Sequence, residues 1–314
     1  MAIPINLKKG VIVCQNYSCS NSCVFCNPRR VRRGLTPDMV EAVRDDMYRQ
    51  ARDLRHRMFD FIEISGCDPI EYPGIVDFVR YLKKDLGFFG VQLSTHGRLL
   101  RDAGLVKALK TVGLDIVKIP LYGSRAGIHD AVTQEKGSFR QTLQGLENVC
   151  RLAPKMLLEV ASLIMRQNCR DVRDIYRVAS RYAVWVSFSV PCISRNVAAE
   201  RFAVSFAAIR PQLLSLLEDC KKENRVGLVI SDIPFCVFEF YRHQIVNLCG
   251  PPATARTYRI PDEHRSRISH LPDYRVKVKF PGCARCSLTE KCGGFYQTYA
   301  EFFKMRDARP VREK

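Results

Sequence analysis

The chain has 314 residues, of which 46% are apolar and 26% charged, and it carries a formal net charge of +18. That length holds one large α/β domain with a small appendage, and the balance of residues excludes a disordered or fibrous protein. No run approaches the ~20 consecutive apolar residues that span a membrane, and the opening MAIPINLKKG lacks a signal-peptide apolar stretch, so no membrane partner and a cytoplasmic location are expected.

Fourteen cysteines are many for this length. In a reducing compartment they serve better as metal-binding thiolates than as disulfides. Arginines outnumber lysines by about two to one. Such an excess favours an anionic partner, because the basic surface concentrates anions and guanidinium groups pair with oxyanions. The plain alternative is solubility.

Short apolar runs alternate with amphipathic stretches along most of the chain. Strands are expected at Gly10–Cys14, Phe59–Ser65, Gly90–Thr95, Asp115–Leu121, Leu157–Ile164 and Trp185–Val190. Helices are expected between and after them at Pro37–Leu54, Gly74–Leu86, Asp102–Val112, Ser138–Leu152, Asp171–Tyr182 and Ala198–Asn224. This alternation implies an α/β fold with a parallel sheet and crossover helices. Six units suggest a partial (β/α)6 TIM-type barrel, and a doubly wound open sheet fits almost as well. Either places the active site at the C-terminal ends of the strands. The alternation ends with Val226–Ile230. Beyond it the chain is punctuated by Pro234, Pro251, Pro252, Pro261, Pro272 and Pro281 and holds five of the fourteen cysteines. The expected division is therefore 1–231 and 232–314, the second part a small module stabilised by metal.

Cys19, Cys23 and Cys26, in the run CSNSCVFC, are spaced C-x3-C-x2-C just beyond the first strand. Three thiolates in a tight loop can wrap one corner of a [4Fe–4S] cube and leave the fourth iron open for a ligand. Zinc would close its site with a fourth Cys or His, for which Cys14 is available. Buried bystander cysteines are the third reading.

With Phe25 before the last cysteine, the motif resembles the signature of radical S-adenosylmethionine (SAM) enzymes. The resemblance implies that the open iron chelates the amino and carboxylate groups of SAM. An electron from the cluster then cleaves SAM to a 5′-deoxyadenosyl radical that takes hydrogen from the substrate. It also places Phe25 against the adenine. Ser65-Gly66-Cys67-Asp68-Pro69 after the second strand resembles the family's Gly-Gly-Glu-Pro segment, which receives the SAM ammonium. Here Cys67 replaces a glycine and Asp68 the glutamate. Ser94-Thr95-His96-Gly97 resembles the family's Thr-Asn-Gly, with His96 for asparagine. IPLYGSRAGIHD and GSFRQTLQGLENV resemble the segment around the fourth strand and its helix. The resemblance covers roughly residues 10–230 and implies that Phe25, Gly66, Cys67, Asp68, Pro69, Thr95 and Gly97 contact SAM.

Other residues carry weaker signals. Gly97 can simply end a strand, His129 reads as a loop histidine with local hydrogen bonds, and Tyr122 is as readily a packing residue. Cys150, Cys169 and Cys220 read as small buried hydrophobes. Cys192, after the sixth strand, is a candidate hydrogen donor to a product radical, with Cys14 and Cys67 as further candidates to line the site. Plain burial is the alternative for all three.

CARCSLTEKCGGFYQTYAEFF holds Cys283, Cys286 and Cys292 at C-x2-C-x5-C spacing. Zinc suits C-x2-C. Beside a radical SAM domain the segment resembles the auxiliary-cluster modules called SPASM and twitch. Five tail cysteines are too few for a full two-cluster module, so one auxiliary [4Fe–4S] cluster is expected, with Cys236 as fourth ligand and Cys249 as its competitor. Arg29, Arg30, Arg32 and Arg33 follow the cluster loop. They suit an anionic substrate or an acidic electron donor such as flavodoxin or ferredoxin, or else form a solvated basic lead-in. No nucleic-acid-binding module is recognisable, and with only about ten residues before the first strand no leader-recognition domain is expected, which lowers but does not remove the peptide reading.

The expected function is radical modification of an anionic biosynthetic small molecule, of nucleotide or sugar-phosphate type. Modification of a ribosomal peptide, by cross-linking, epimerisation or oxidation, is the second reading. A non-catalytic two-cluster electron carrier or redox sensor is the reading of another class.

Overall fold

A computed structural model describes residues 9–14, 18–26, 36–191, 198–223, 227–238, 277–290, 292, 294–304 and 310–311. Seven strands form one sheet: β1 (Lys9–Cys14), β2 (Phe61–Gly66), β3 (Gly90–Ser94), β4 (Ile116–Pro120), β5 (Leu157–Leu163), β6 (Trp185–Ser189) and β7 (Gly227–Ile230). Their order is sequential, and every neighbouring pair is parallel. A doubly wound sheet reverses its strand order midway. This one does not, so the partial barrel holds. The seventh strand, which ends the alternation in the sequence, extends the sheet past the six expected units.

Helices return the chain between strands: α1 (Pro37–His56), α2 (Ile75–Arg80), α3 (Ala103–Thr111), α4 (Ala126–Thr133), α5 (Ser138–Leu152), α6 (Val172–Ala179) and α7 (Phe206–Glu223). Thr36 opens α1 by accepting the Met39 N–H, and Pro37 sits where no intrahelical donor is needed. Val43, Met47, Ala51 and Leu54 form its buried stripe, each large apolar side chain contributing about 1.5–3 kcal/mol by leaving water. The helix expected over 74–86 divides into α2 and a π-helical turn, Tyr81–Asp85. The helix expected from Ala198 starts at Phe206, because Ser205 caps the Ala208 N–H through its side chain. Helix α4 is an addition: His129 lies on it rather than in a loop.

The two faces of the sheet differ. Ile12, Ile62, Leu93, Val117, Val160 and Phe188 point toward the helices and are fully buried. Their alternating neighbours Val13, Ser65, Pro120, Ala161 and Ser189 are only partly buried. A closed barrel fills its interior with side chains. On the same concave face Phe61, Gln92, Ile116 and Glu159 are buried, so exposure there increases toward the C-terminal ends of the strands.

Past β7 the chain makes a 3-10 turn at Phe235–Phe238. A short antiparallel pair, β8 (Lys277–Val278) and β9 (Phe295–Tyr296), leads into α8 (Gln297–Phe303). This part docks on the start of α7: Tyr299 stacks on Phe206 with ring centroids 4.2 Å apart and accepts the Phe206 N–H at 2.7 Å. No helix among the described residues is long and apolar enough to cross a membrane.

Candidate functional site

The cysteine loop, residues 18–26, lies beyond the C-terminal end of β1 and is anchored by its backbone. Ser22 N–H donates to the Thr133 carbonyl at 2.8 Å and Val24 N–H to the Val132 carbonyl at 2.9 Å, fixing the loop to the end of α4. Arg98, itself buried, donates through Nη1 to the Ser20 carbonyl and to Asn21 Oδ1, both at 2.8 Å. Its Nε donates to Gln141 Oε1 at 2.7 Å. The Cys26 N–H closes a turn on the Cys23 carbonyl at 3.0 Å.

The loop brings its thiols together. Burial pushes Cys19 up to about 12, and the Asp68 charge, then Glu71 and then Cys26 add to the rise. Cys23 is raised further by burial and by Cys26 and Cys19. Cys19 and Cys23, which resist becoming anions alone, form with their neighbour Cys26 a donor set suited to a cationic group that stabilises thiolates. The residues present fit an iron–sulfur cluster. Phe25 meets Tyr122 edge to face at 5.4 Å.

The strand ends supply the rest of the mouth. Gly66 has φ +140°, and a Cβ there would lie 2.2 Å from the Cys14 carbonyl oxygen. Only glycine permits this close crossing, which lets the Cys67 N–H reach that same oxygen at 3.3 Å. Asp68 is buried: Oδ1 accepts the Ile70 N–H, starting the 3-10 turn at Pro69, and Oδ2 accepts the His96 N–H at 2.9 Å. Thr95 Oγ1 accepts the Gly97 N–H at 3.2 Å, and Gly97 takes φ +79°.

Glu71 and His96 join these pieces to the loop. Glu71 accepts from Ser18 Oγ at 2.7 Å and from the Ser20 N–H at 2.6 Å. His96 Nε2 lies 2.9 Å from Glu71, 3.0 Å from Asp68 and 3.0 Å from Ser20 Oγ. Burial opposes charge on Glu71, but hydrogen bonds from His96, Ser18 and Ser20 hold it at about 2. Burial likewise lowers the His96 imidazole, yet the Asp68 charge and the hydrogen bonds to both acids raise it to about 9. Ligand atoms of Cys19, Asp68, Glu71 and His96 all lie within 4.8 Å of one another. The sequence points to Asp68 and to the cysteines, but not to Glu71 or Arg98. They act across loops, and nothing in their local spacing marks them.

A charged layer inside the barrel was equally missed. Lys9 Nζ pairs with Glu63 at 2.7 Å, and Ser94 Oγ donates to the same carboxylate at 2.6 Å. Lys118 pairs with Glu159 at 3.1 Å, to which Ser187 donates at 2.9 Å. Burial opposes the charge on Lys118, but Glu159, then Glu63 and Asp232, raise its pKa. Glu159 is the register partner of Lys118 on the adjacent strand β5, whereas Glu63 on β2 and Asp232 beyond β7 reach it across the concave face. The signal was present as IEI, VQL, VKI, LEV and VSF, each with one polar residue between apolar ones at mid-strand.

Of the remaining cysteines, Cys14 faces the helices and is fully buried, so it neither lines the mouth nor joins the loop thiols. Cys67 is half-buried, Cys220 fully buried, and Cys150 and Cys169 half-buried. His129 is structural: its Nδ1 accepts the Tyr122 N–H at 3.1 Å, and burial lowers it to about 4. Cys192, Cys249 and Arg29, Arg30, Arg32 and Arg33 lie outside the described residues.

In the tail Cys236, Cys283, Cys286 and Cys292 line one pocket of about 350 Å³ together with Phe280, Leu288, Phe295 and Pro310. Cys286 Sγ accepts the Val311 N–H and Cys292 Sγ the Gly294 N–H, both at 3.4 Å. Burial raises the Cys283 thiol, and Cys286 and Cys292 add to the rise.

Comparison with known proteins agrees with this arrangement. GTP 3′,8-cyclase of Limosilactobacillus fermentum is 27% identical over 170 residues, 54% of this chain and 50% of that protein. The chain thus spans about half the length of that curated relative. AdoMet-dependent heme synthase of Methanosarcina barkeri is 26% identical over 232 residues, 72% of this chain and 62% of that one. Among solved structures, Streptococcus suis SuiB bound to S-adenosylmethionine superposes with a TM-score of 0.61 at 12% identity, covering 99% of this chain and 77% of SuiB. The radical SAM superfamily model matches residues 16–179. That span is just over half of the 314 residues and contains the loop thiols, the Gly66 crossing and the Thr95–Gly97 turn, so the chain belongs to the radical SAM superfamily.

Proposed function

We propose that Cys19, Cys23 and Cys26 hold the [4Fe–4S] cluster and that SAM lies over Phe25, Gly66–Pro69, Thr95 and Gly97. The observation that carries this reading is the loop of Cys19, Cys23 and Cys26, whose thiols interact with one another and whose backbone is fixed to the end of α4 at the C-terminal ends of the strands. When bound, the cluster and SAM supply an electron and a hydrogen-abstracting radical. The chain's own residues position and enclose. Arg98, Glu71 and His96 hold the loop against the strand ends, and the small side chains of Ser65, Pro120, Ala161 and Ser189 leave room below it. We assign a second [4Fe–4S] cluster to Cys236, Cys283, Cys286 and Cys292, in a module spanning 232–314. Four thiols around one pocket support electron transfer rather than substrate ligation.

The substrate favoured is an anionic biosynthetic small molecule of nucleotide or sugar-phosphate type, in line with the +18 charge and with a relative named for GTP. An acidic protein such as flavodoxin or ferredoxin suits the same charge as electron donor. A peptide substrate is the second reading. It draws on the superposition with SuiB bound to its precursor peptide SuiA, which covers 100% of this chain at 12% identity.

The test is anaerobic reconstitution, an iron and sulfide count, and assay of 5′-deoxyadenosine after dithionite and SAM. About eight irons with deoxyadenosine formed faster in the presence of one nucleotide or sugar phosphate is the expected result. A fully loaded protein that forms no deoxyadenosine and shows no SAM-induced change in its EPR signal is an electron carrier instead.

A further inference from the structure

The barrel interior is chemically specific in a way the radical reaction does not require. Each lysine of the layer is matched by a carboxylate, Lys9 by Glu63 and Lys118 by Glu159, and each carboxylate also takes one serine hydroxyl. The layer therefore has no net charge and offers an arriving anion only cations already paired. Displacing such a partner would strand a carboxylate in a buried site.

One donor stands apart. Gln92 on β3 is 4% exposed, and its Nε2 has no hydrogen-bond partner among the described residues. Its orientation is fixed by chemistry: Lys9 Nζ, 3.4 Å away, can only donate, so it takes the carboxamide oxygen. That leaves the NH2 group within the same layer. A buried amide without a partner is costly, and an acceptor oxygen of a bound molecule would satisfy it.

We propose that this layer is the inner subsite of the barrel, that it takes an uncharged group carrying an acceptor oxygen, such as an amide carbonyl, through Gln92 Nε2, and that it rejects phosphate. Calling the occupant a substrate rests on the radical SAM reading. If that substrate is anionic, its charge is held outside the layer and its neutral part enters.

The chain's only tryptophan reports on the layer. Trp185 pairs in register with Glu159 and shares a face with Ser187 on β6. Holoenzyme labelled with 5-fluorotryptophan gives one fluorine resonance, to be titrated with N-methylacetamide and, separately, with inorganic phosphate. The amide is expected to shift the signal saturably, with about tenfold weaker binding in Gln92→Met, a change of about 1.4 kcal/mol. Phosphate is expected to leave it unmoved in the wild type and to shift it saturably in Glu159→Gln, where Lys118 loses its counter-charge. An amide that leaves the wild-type signal unmoved, or binds Gln92→Met equally well, overturns the proposal. So does phosphate that binds the wild type, or fails to bind Glu159→Gln. Deoxyadenosine formation is measured in parallel, and its absence sinks the radical reading while leaving the titration to decide the subsite.

Discussion

The two cysteine sites differ in donor number and in surroundings. At the barrel mouth Cys19, the first of three loop thiols, stands beside Asp68, Glu71 and His96, polar groups that are themselves hydrogen-bonded. In the tail four thiols line a pocket walled by Phe280, Leu288, Phe295 and Pro310. A cubic cluster with three protein ligands keeps one iron for an outside molecule, whereas four ligands close it and leave electron transfer as its role. The polar surroundings at the mouth suit a charged ligand, and the apolar ones in the tail suit a sealed redox centre. Count and environment thus point the same way at each site, although both are built from the same residue type.

The sharpest way to break this contrast is to remove one thiol from each. Cys19→Ala is expected to lose the mouth cluster and bring deoxyadenosine formation down to background, while the tail retains about four irons. Cys286→Ala is expected to do the reverse, losing about half the iron and keeping SAM cleavage in the absence of substrate. Iron analysis and a deoxyadenosine assay on both variants settle the matter. If Cys286→Ala also stops SAM cleavage, the two sites are one functional unit and the contrast fails.

A smaller effect separates the polar barrel from the apolar tail. Burial opposes charge on Glu63, but Lys9 and Lys118 hold its carboxyl at about 2 against an ordinary 4.5. A carboxyl depressed in the folded state contributes stability above its unfolded value and loses it as pH falls through its folded one. At neutral pH the difference corresponds to about 3 kcal/mol. Glu63→Gln is expected to unfold more readily than the wild type at pH 7, with the gap closing between pH 4.5 and about 2. Denaturant melts across that range measure it, and a gap that persists at the acid end assigns the loss to packing.

What the sequence revealed was what the chain encodes locally. C-x3-C-x2-C is a spacing, and strand–helix alternation is a rhythm, so the cluster loop, six of the seven strands and the tail cysteines could be read without coordinates. Helix α4 escaped because eight residues beginning Ala-Gly offer little periodicity. Glu71, Arg98 and Gln141 escaped for a different reason: they come from three separate elements and meet only when the loop folds back on them. The charged layer lies between these cases. Strands β2 to β6 each display one polar residue near the centre, but only the register shows that Lys118 on β4 meets Glu63 on β2 across the intervening strand.

Cys14 tests how far proximity in sequence misleads. It is five residues from Cys19 and on spacing alone was available as a fourth ligand. The pleat decides otherwise. In β1 the alternation turns Ile12 and Cys14 toward the helices and Val11 and Val13 toward the concave face, so the Cys14 side chain is buried on the far side of the sheet from the concave face. Replacing it with alanine removes one sulfur from a packed core, a cost of about 1 kcal/mol, and touches no donor at the mouth. Cys14→Ala is therefore expected to melt slightly earlier while retaining its full iron content and SAM cleavage. A loss of iron from this variant, with its fold intact by circular dichroism, would mean that the strand rotates Cys14 into the mouth and closes that site with a fourth thiolate.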